Sequence, residues 1–158
     1  MRIEKGKLAI SIAIPLIVGA VSGLANSGGM QMFAEIEKPP LSPPGWLFPV
    51  VWTILYTLMG ISSYLIWTAP NAPQGEKQKA LRTYIIQLVV NFFWPFLFFG
   101  LEWYLAAFFW LVLLWYLILT MIRQFAAISP LAAKLNIPYL LWVTFAGYLN
   151  LGIWWLNR

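Results

Sequence analysis

Two amides and a set of tryptophans are the residues whose chemistry stands out, because they sit in stretches otherwise suited to hydrocarbon. Tyr84, Gln87, Asn91, Trp94 and Phe98 recur at spacings of three, four, three and four, so they share one face of a helix. An amide without a partner in hydrocarbon is strongly destabilising, so Gln87 and Asn91 must turn inward. There they can act as glue between helices, or Asn91 can line a ligand cavity. A second stripe carries Trp52, Tyr56, Gly60, Ser63 and Trp67 at nearly every fourth position, tapering from large aromatics to small residues in a way that leaves space. A third offers Pro138, Trp142, Phe145, Ala146, Leu149 and Asn150. Tryptophan is enriched where membrane meets water, which accounts for Trp46, Trp103, Trp154 and Trp155. Trp52 and Trp142 are less easily explained that way and are expected to line a pocket.

Side chains of this kind bind by stacking and hydrogen bonding, whereas bond-making chemistry has little to draw on. Histidine and cysteine are absent, which excludes Cys or His metal sites, thiol nucleophiles and the usual axial ligation of haem. No nucleophile and base stand in an arrangement that supports hydrolysis or group transfer. No metal and no required cofactor are expected. The net charge of +5 resides in short segments flanking apolar runs, so it reports membrane topology and predicts no nucleic-acid partner.

The elements that must position these side chains follow from composition. The chain is 61% hydrophobic and 9% charged, where soluble domains carry about a quarter charged residues. Leu8–Ala34, Pro39–Gly75, Thr83–Leu101, Trp103–Ile122 and Leu135–Asn157 contain no Asp, Glu, Lys or Arg. Each can supply the roughly 20 apolar residues that cross a bilayer core. The expected fold is an all-α bundle of five transmembrane helices in one membrane domain over 1–158, with spans at about 8–26, 46–68, 80–101, 103–124 and 131–155. The opening basic residues followed by an apolar run imitate a signal peptide. That run is long for such a peptide and its Gly19-xxx-Gly23 spacing suits helix packing, so a retained first span is expected. Its small-residue face, Ser11, Pro15, Gly19, Gly23 and Asn26, is equally consistent with packing inside the bundle and with a homodimer.

Arg2, Lys5, Lys7, Lys77, Lys79, Arg82, Arg123 and Lys134 fall on the side of the N-terminus, and Lys38 and Arg158 on the other. This bias predicts a cytoplasmic N-terminus and an external C-terminus in a bacterial plasma membrane. Residues 69–75 combine prolines, glycine and polar residues and should leave the helix. The connection over 27–45 carries Gly28-Gly29, Pro39-Pro40 and Pro43-Pro44, and an irregular path of that kind cannot face lipid. It is expected to fold as a lid over the external mouth, with a helical turn or two near Met30–Ile36 and with Glu35 and Glu37 in water. No internal repeat of the kind found in many secondary transporters is visible.

The run Lys38-Pro39-Pro40-Leu41-Ser42-Pro43-Pro44-Gly45-Trp46 through Trp52, Leu55 and Tyr56 resembles the pattern K-P-x-x-x-P-P-x-W-x-x-x-x-x-W-x-x-L-Y of the translocator protein family. Gln87 to Pro95 with Phe98-Phe99-Gly100, and then Ser129-Pro130 followed by Pro138-Tyr139, Trp142, Phe145-Ala146 and Leu149-Asn150, continue the likeness in order. On these residues the chain is identified as resembling a bacterial member of that family, also called TspO/MBR, tryptophan-rich sensory proteins or peripheral-type benzodiazepine receptors. The resemblance implies a five-helix bundle with a pocket beneath the first connection. It implies protoporphyrin IX or another flat hydrophobic molecule as ligand, together with synthetic benzodiazepine-site compounds. Pocket residues carried over by the resemblance are Trp52, Asn91, Trp94, Trp142, Ala146 and Leu149, with Phe48, Pro49 and Val51 nearby. It also implies Trp52 and Trp142 as the residues of a light- and oxygen-dependent porphyrin breakdown.

Five residues depart from the family pattern, at three places in the chain. Met32-Phe33 replaces a common Trp-Tyr, removing a phenol, and Leu41 replaces a common Trp in the lid. Leu151 and Trp155 stand where animal members carry a cholesterol-recognition pattern, so specific cholesterol binding is not expected. Three functions compete on this footing: a tetrapyrrole-binding sensor or regulator, a transporter of porphyrins or similar molecules, and a partner-binding membrane subunit. Ion-coupled transport usually needs an ionisable group at depth, and the one acidic residue between spans three and four, Glu102, lies in a turn.

Overall fold

The computed structural model describes residues 2–158. Helix α1 spans Lys5–Ala25, the short α2 Gly29–Glu35, α3 Leu47–Trp67, α4 Gln74–Pro95, α5 Tyr104–Ala126, the short α6 Pro130–Leu135 and α7 Ile137–Asn157. Five helical segments, with α6 and α7 counted together, are long and apolar enough to cross a membrane. No strand occurs among the described residues.

α4 begins at Gln74, six residues before the expected start at 80. Pro73 occupies the cap, where its missing N–H costs nothing, and Glu76 in the first turn complements the helix dipole, so the charged stretch winds into helix beyond the apolar run. At the other end Pro95 withdraws an N–H from the ladder. Phe96–Gly100 continue in wider π-type turns, with the Leu101 N–H reaching the Phe96 carbonyl at 2.9 Å.

The fifth span is broken, where one continuous helix over 131–155 is expected from sequence. Ser129 caps α6 by accepting from the Ala132 N–H at 3.3 Å, and the helix stops at Asn136, two residues before Pro138. The Asn136 side chain fills the break. It donates to the Ser62 hydroxyl at 2.6 Å and to the Ala132 carbonyl at 3.0 Å.

α1 packs along α3, α4 against α5, and α5 against α6 and α7. The α1 and α3 backbones come together at Gly60, where a Cβ would stand 2.5 Å from the Ile12 Cα and 2.7 Å from the Ser11 carbonyl oxygen. Pro15 lies four residues after Ser11 and cannot donate to that carbonyl, so the two backbones meet where α1 is already short of a hydrogen bond. At the same end of the bundle the Glu4 N–H donates to the Tyr64 hydroxyl at 2.9 Å and the Lys7 ammonium lies over the Trp67 ring. The core consists of fully enclosed Met59, Ile118, Met121 and Phe125 with their neighbours.

The outer surface is apolar. Ile10, Ile14 and Ile17 on α1 and Phe109, Val112 and Tyr116 on α5 are exposed, as lipid-facing side chains should be. Exposed threonines return their hydroxyls to their own helix: Thr53 to the Pro49 carbonyl, Thr57 to Thr53 and Thr144 to Leu140. The chain is an integral membrane protein.

Candidate functional site

Beneath α2 lies a cavity of about 780 Å³, within the size range of small-molecule pockets. Its walls come from α1, α2, α3, α4, α5 and α7. Phe48, Pro49 and Trp52 line it from α3, Asn91 and Trp94 from α4, and Trp142, Ala146 and Leu149 from α7. Val51 is not among the lining residues; it packs against the main core. The helical period explains this, since Phe48 and Trp52 are one turn apart and Val51 lies about a hundred degrees from Trp52.

The floor is a chain of buried hydrogen bonds. The Tyr56 hydroxyl donates to Asn91 Oδ1 at 2.9 Å, Asn91 Nδ2 donates to the Tyr139 hydroxyl at 2.7 Å, and that hydroxyl donates to Gln87 Oε1 at 2.6 Å. Asn91 therefore ties three helices together and also touches the cavity. Trp52 lies above this floor, stacked on Tyr56 with ring centroids 5.4 Å apart and edge-on to Tyr139 at 6.1 Å.

Trp94 is fixed from two directions. Its ring stacks on Phe98 at 4.9 Å and its indole N–H donates to Asn150 Oδ1 at 3.1 Å, while Asn150 Nδ2 donates to the Tyr104 carbonyl at 2.7 Å. Trp110 and Trp115 also spend their N–H groups, on the Val90 carbonyl and the Thr144 hydroxyl. Among the described residues the indole N–H groups of Trp52 and Trp142 meet no protein acceptor, and both residues line the cavity. Trp142 packs edge-on to Phe48 at 5.8 Å, and Phe48 edge-on to Phe33 at 5.1 Å, which carries the aromatic wall up into α2.

Several lining residues are not among the site residues expected from sequence. Phe33, described above only as a lost phenol, is buried and closes the roof. The small-residue face of α1 is equally consistent with packing and with a homodimer on spacing alone; Gly19 meets the Tyr56 ring and also lines the cavity. On α7 the buried face is led by Tyr139 and Val143, whereas Pro138 is exposed. The spacing of Tyr139, Trp142, Ala146, Leu149 and Ile153 carries the signal for this face. Leu41, placed in the lid where the family often has Trp, is 83% exposed and lies outside the cavity.

The lid itself is held by backbone contacts. Lys38 Nζ donates to the Phe33 carbonyl at 2.9 Å and the Ile36 carbonyl at 3.1 Å, closing the end of α2, and stands 5.1 Å from the Phe33 ring centroid. Glu35 and Glu37 are exposed, as expected.

Five apolar spans around one covered, aromatic-walled hollow define a polytopic membrane protein with an internal hydrophobic pocket. The chain belongs to the TspO/MBR family, whose model matches residues 11–156. It is 38% identical over 151 residues to the tryptophan-rich protein TspO of Chlorobaculum tepidum, covering 95% of each chain. It is 36% identical over 152 residues to the protein of the same name from Archaeoglobus fulgidus, covering 96% of this chain and 97% of that one. The translocator protein of Bos taurus is 37% identical over 149 residues, 92% of this chain and 86% of its own.

Proposed function

We propose that the cavity binds a flat, largely apolar tetrapyrrole such as protoporphyrin IX, and that the chain acts as a membrane-embedded sensor or regulator of such compounds. The observation that carries this reading is the pairing of Trp52 and Trp142, half-buried on different helices around a hollow of about 780 Å³, each with an unspent N–H. Indole faces cover a macrocycle by stacking, and a few donors orient its carboxylates. The same wall suits planar benzodiazepine-site compounds. By the lysine and arginine bias, the lid faces outward from a bacterial plasma membrane and the N-terminus faces the cytoplasm.

Titration of the purified protein with protoporphyrin IX, read as quenching of tryptophan fluorescence, tests the proposal. Saturable quenching that falls when Trp142 is replaced by Phe supports it; linear, non-saturating quenching overturns it. Photo-oxidative breakdown is a further step within the same reading, with Trp52 and Trp142 as oxidisable neighbours of an excited porphyrin in the presence of oxygen. It is measured as light-dependent loss of porphyrin absorbance that needs both indoles.

A second reading, passage of the same molecules across the membrane, draws on relatives that carry the name translocator protein. Flux into protein-containing vesicles above that into empty ones would favour it.

A further inference from the structure

α1 and α3 touch at one end of the bundle and part at the other. A Cβ on Gly60 would run into the α1 backbone, one on Gly19 would run into the Tyr56 ring alone, and one on Gly23 would meet nothing within 4 Å. The same part of α1 is drawn toward α4, where the Ser22 hydroxyl donates to the Phe92 carbonyl at 2.9 Å. The two helices thus open as a V toward the lid end. Gly23 and Leu24 of α1 and Pro49 and Thr53 of α3 are exposed and also line the cavity, so the V is a window in its wall. The Thr53 hydroxyl is spent on the Pro49 carbonyl at 2.7 Å, leaving an edge that hydrocarbon can touch.

The lid, by contrast, is fastened on the α7 side. Glu37 and Asn157 exchange two hydrogen bonds, the Glu37 N–H to Asn157 Oδ1 at 3.1 Å and Asn157 Nδ2 to the Glu37 carbonyl at 2.8 Å. The Tyr148 hydroxyl donates to the Pro40 carbonyl at 2.7 Å, and Pro39 fits so tightly on Gly152 that a Cβ there would lie 2.6 Å from its ring.

We infer that the cavity exchanges its contents sideways with the bilayer, through the window between α1 and α3, and not through the lid with water. Its ligands are then molecules that dissolve in the membrane before they bind, and lipid acyl chains reach into the window when no such molecule is present. This rests on the proposed ligand-binding role for the kinetics but not for the acyl-chain contact.

The chain has no native cysteine, so Thr53→Cys can be labelled after folding with a bulky maleimide, and Gly23→Phe obstructs the same opening by substitution. Stopped-flow quenching by protoporphyrin IX, delivered to protein in phosphatidylcholine vesicles, should slow about tenfold in both directions in the obstructed forms. Asn157→Ala and Tyr148→Phe, which loosen the lid, should leave both rates as they are. Faster exchange in the lid variants with no effect of obstruction would overturn the inference. A second arm needs no porphyrin. Lipids brominated in their acyl chains should quench the fluorescence attributable to Trp52, taken by difference from Trp52→Phe, and labelled Thr53→Cys should relieve that quenching. Acyl-chain quenching without saturable porphyrin binding would keep the window and sink the tetrapyrrole; absence of acyl-chain quenching at Trp52 would sink the window.

Discussion

The Asn91 amide and the Tyr139 hydroxyl meet at 2.7 Å beneath the cavity, with the Asn91 carbonyl held at the same time by Tyr56. One side chain thereby joins α3, α4 and α7. Hydrogen bonds between membrane helices contribute about 0.6 kcal/mol on average and up to about 1.7. Asn91→Leu removes two of them and strands the Tyr56 phenol, while Tyr139 keeps its bond to Gln87, so a loss of about 1–3 kcal/mol is expected. Thermal unfolding in detergent should show this, with a smaller shift for Tyr56→Phe, which breaks one bond. An Asn91→Leu protein as stable as the parent would show that the network contributes nothing.

Trp52 and Trp142 should affect binding more than folding. Phe at either position keeps a stacking face and removes an N–H that no protein group uses, so porphyrin affinity should fall about threefold to tenfold. Unfolding temperature should change little. Equilibrium quenching together with the melting curve separates the two effects, and unchanged affinity in the double variant would reject a ligand role for both residues.

Gly60 and Gly23 make a matched pair. Gly60→Val forces the α1 backbone away from α3 and should destabilise by about 1–3 kcal/mol or more. Gly23→Ala meets open space and should fold as well as the parent. Equal melting temperatures for the two variants would contradict the closeness of α1 and α3 at Gly60.

Lys38 closes α2 through three carbonyls, those of Phe33, Ala34 and Ile36. Lys38→Met removes all three bonds and should raise amide exchange over 29–37 by about fivefold, with the long spans unaffected. Mass-resolved hydrogen exchange provides the measurement; unchanged exchange would mean the lid is held by its α7 contacts alone.

Residue types and spacing were sufficient for the number of spans, the inward turn of Gln87 and Asn91 and the placement of Trp52 and Trp142 at a cavity. The reasons are strong local constraints: about 20 apolar residues are needed to cross the bilayer, and amides and unpaired backbone are excluded from hydrocarbon. Ends were legible to within a few residues where prolines and glycines mark them, but not at Gln74, where charged residues remain good helix formers beyond the membrane.

Only the tertiary structure decided which face of each helix meets which neighbour. In a span that is apolar all round, rotation is weakly encoded, because lipid and protein interior look alike to a leucine. Tyr139 replaces Pro138 at the head of the α7 face and Val51 turns away from the cavity for that reason. The splay of α1 from α3 is likewise a result of contacts distant in sequence, Gly60 on Ser11 and Ile12 at one end and Ser22 on Phe92 at the other, and no local pattern in the chain prescribes it.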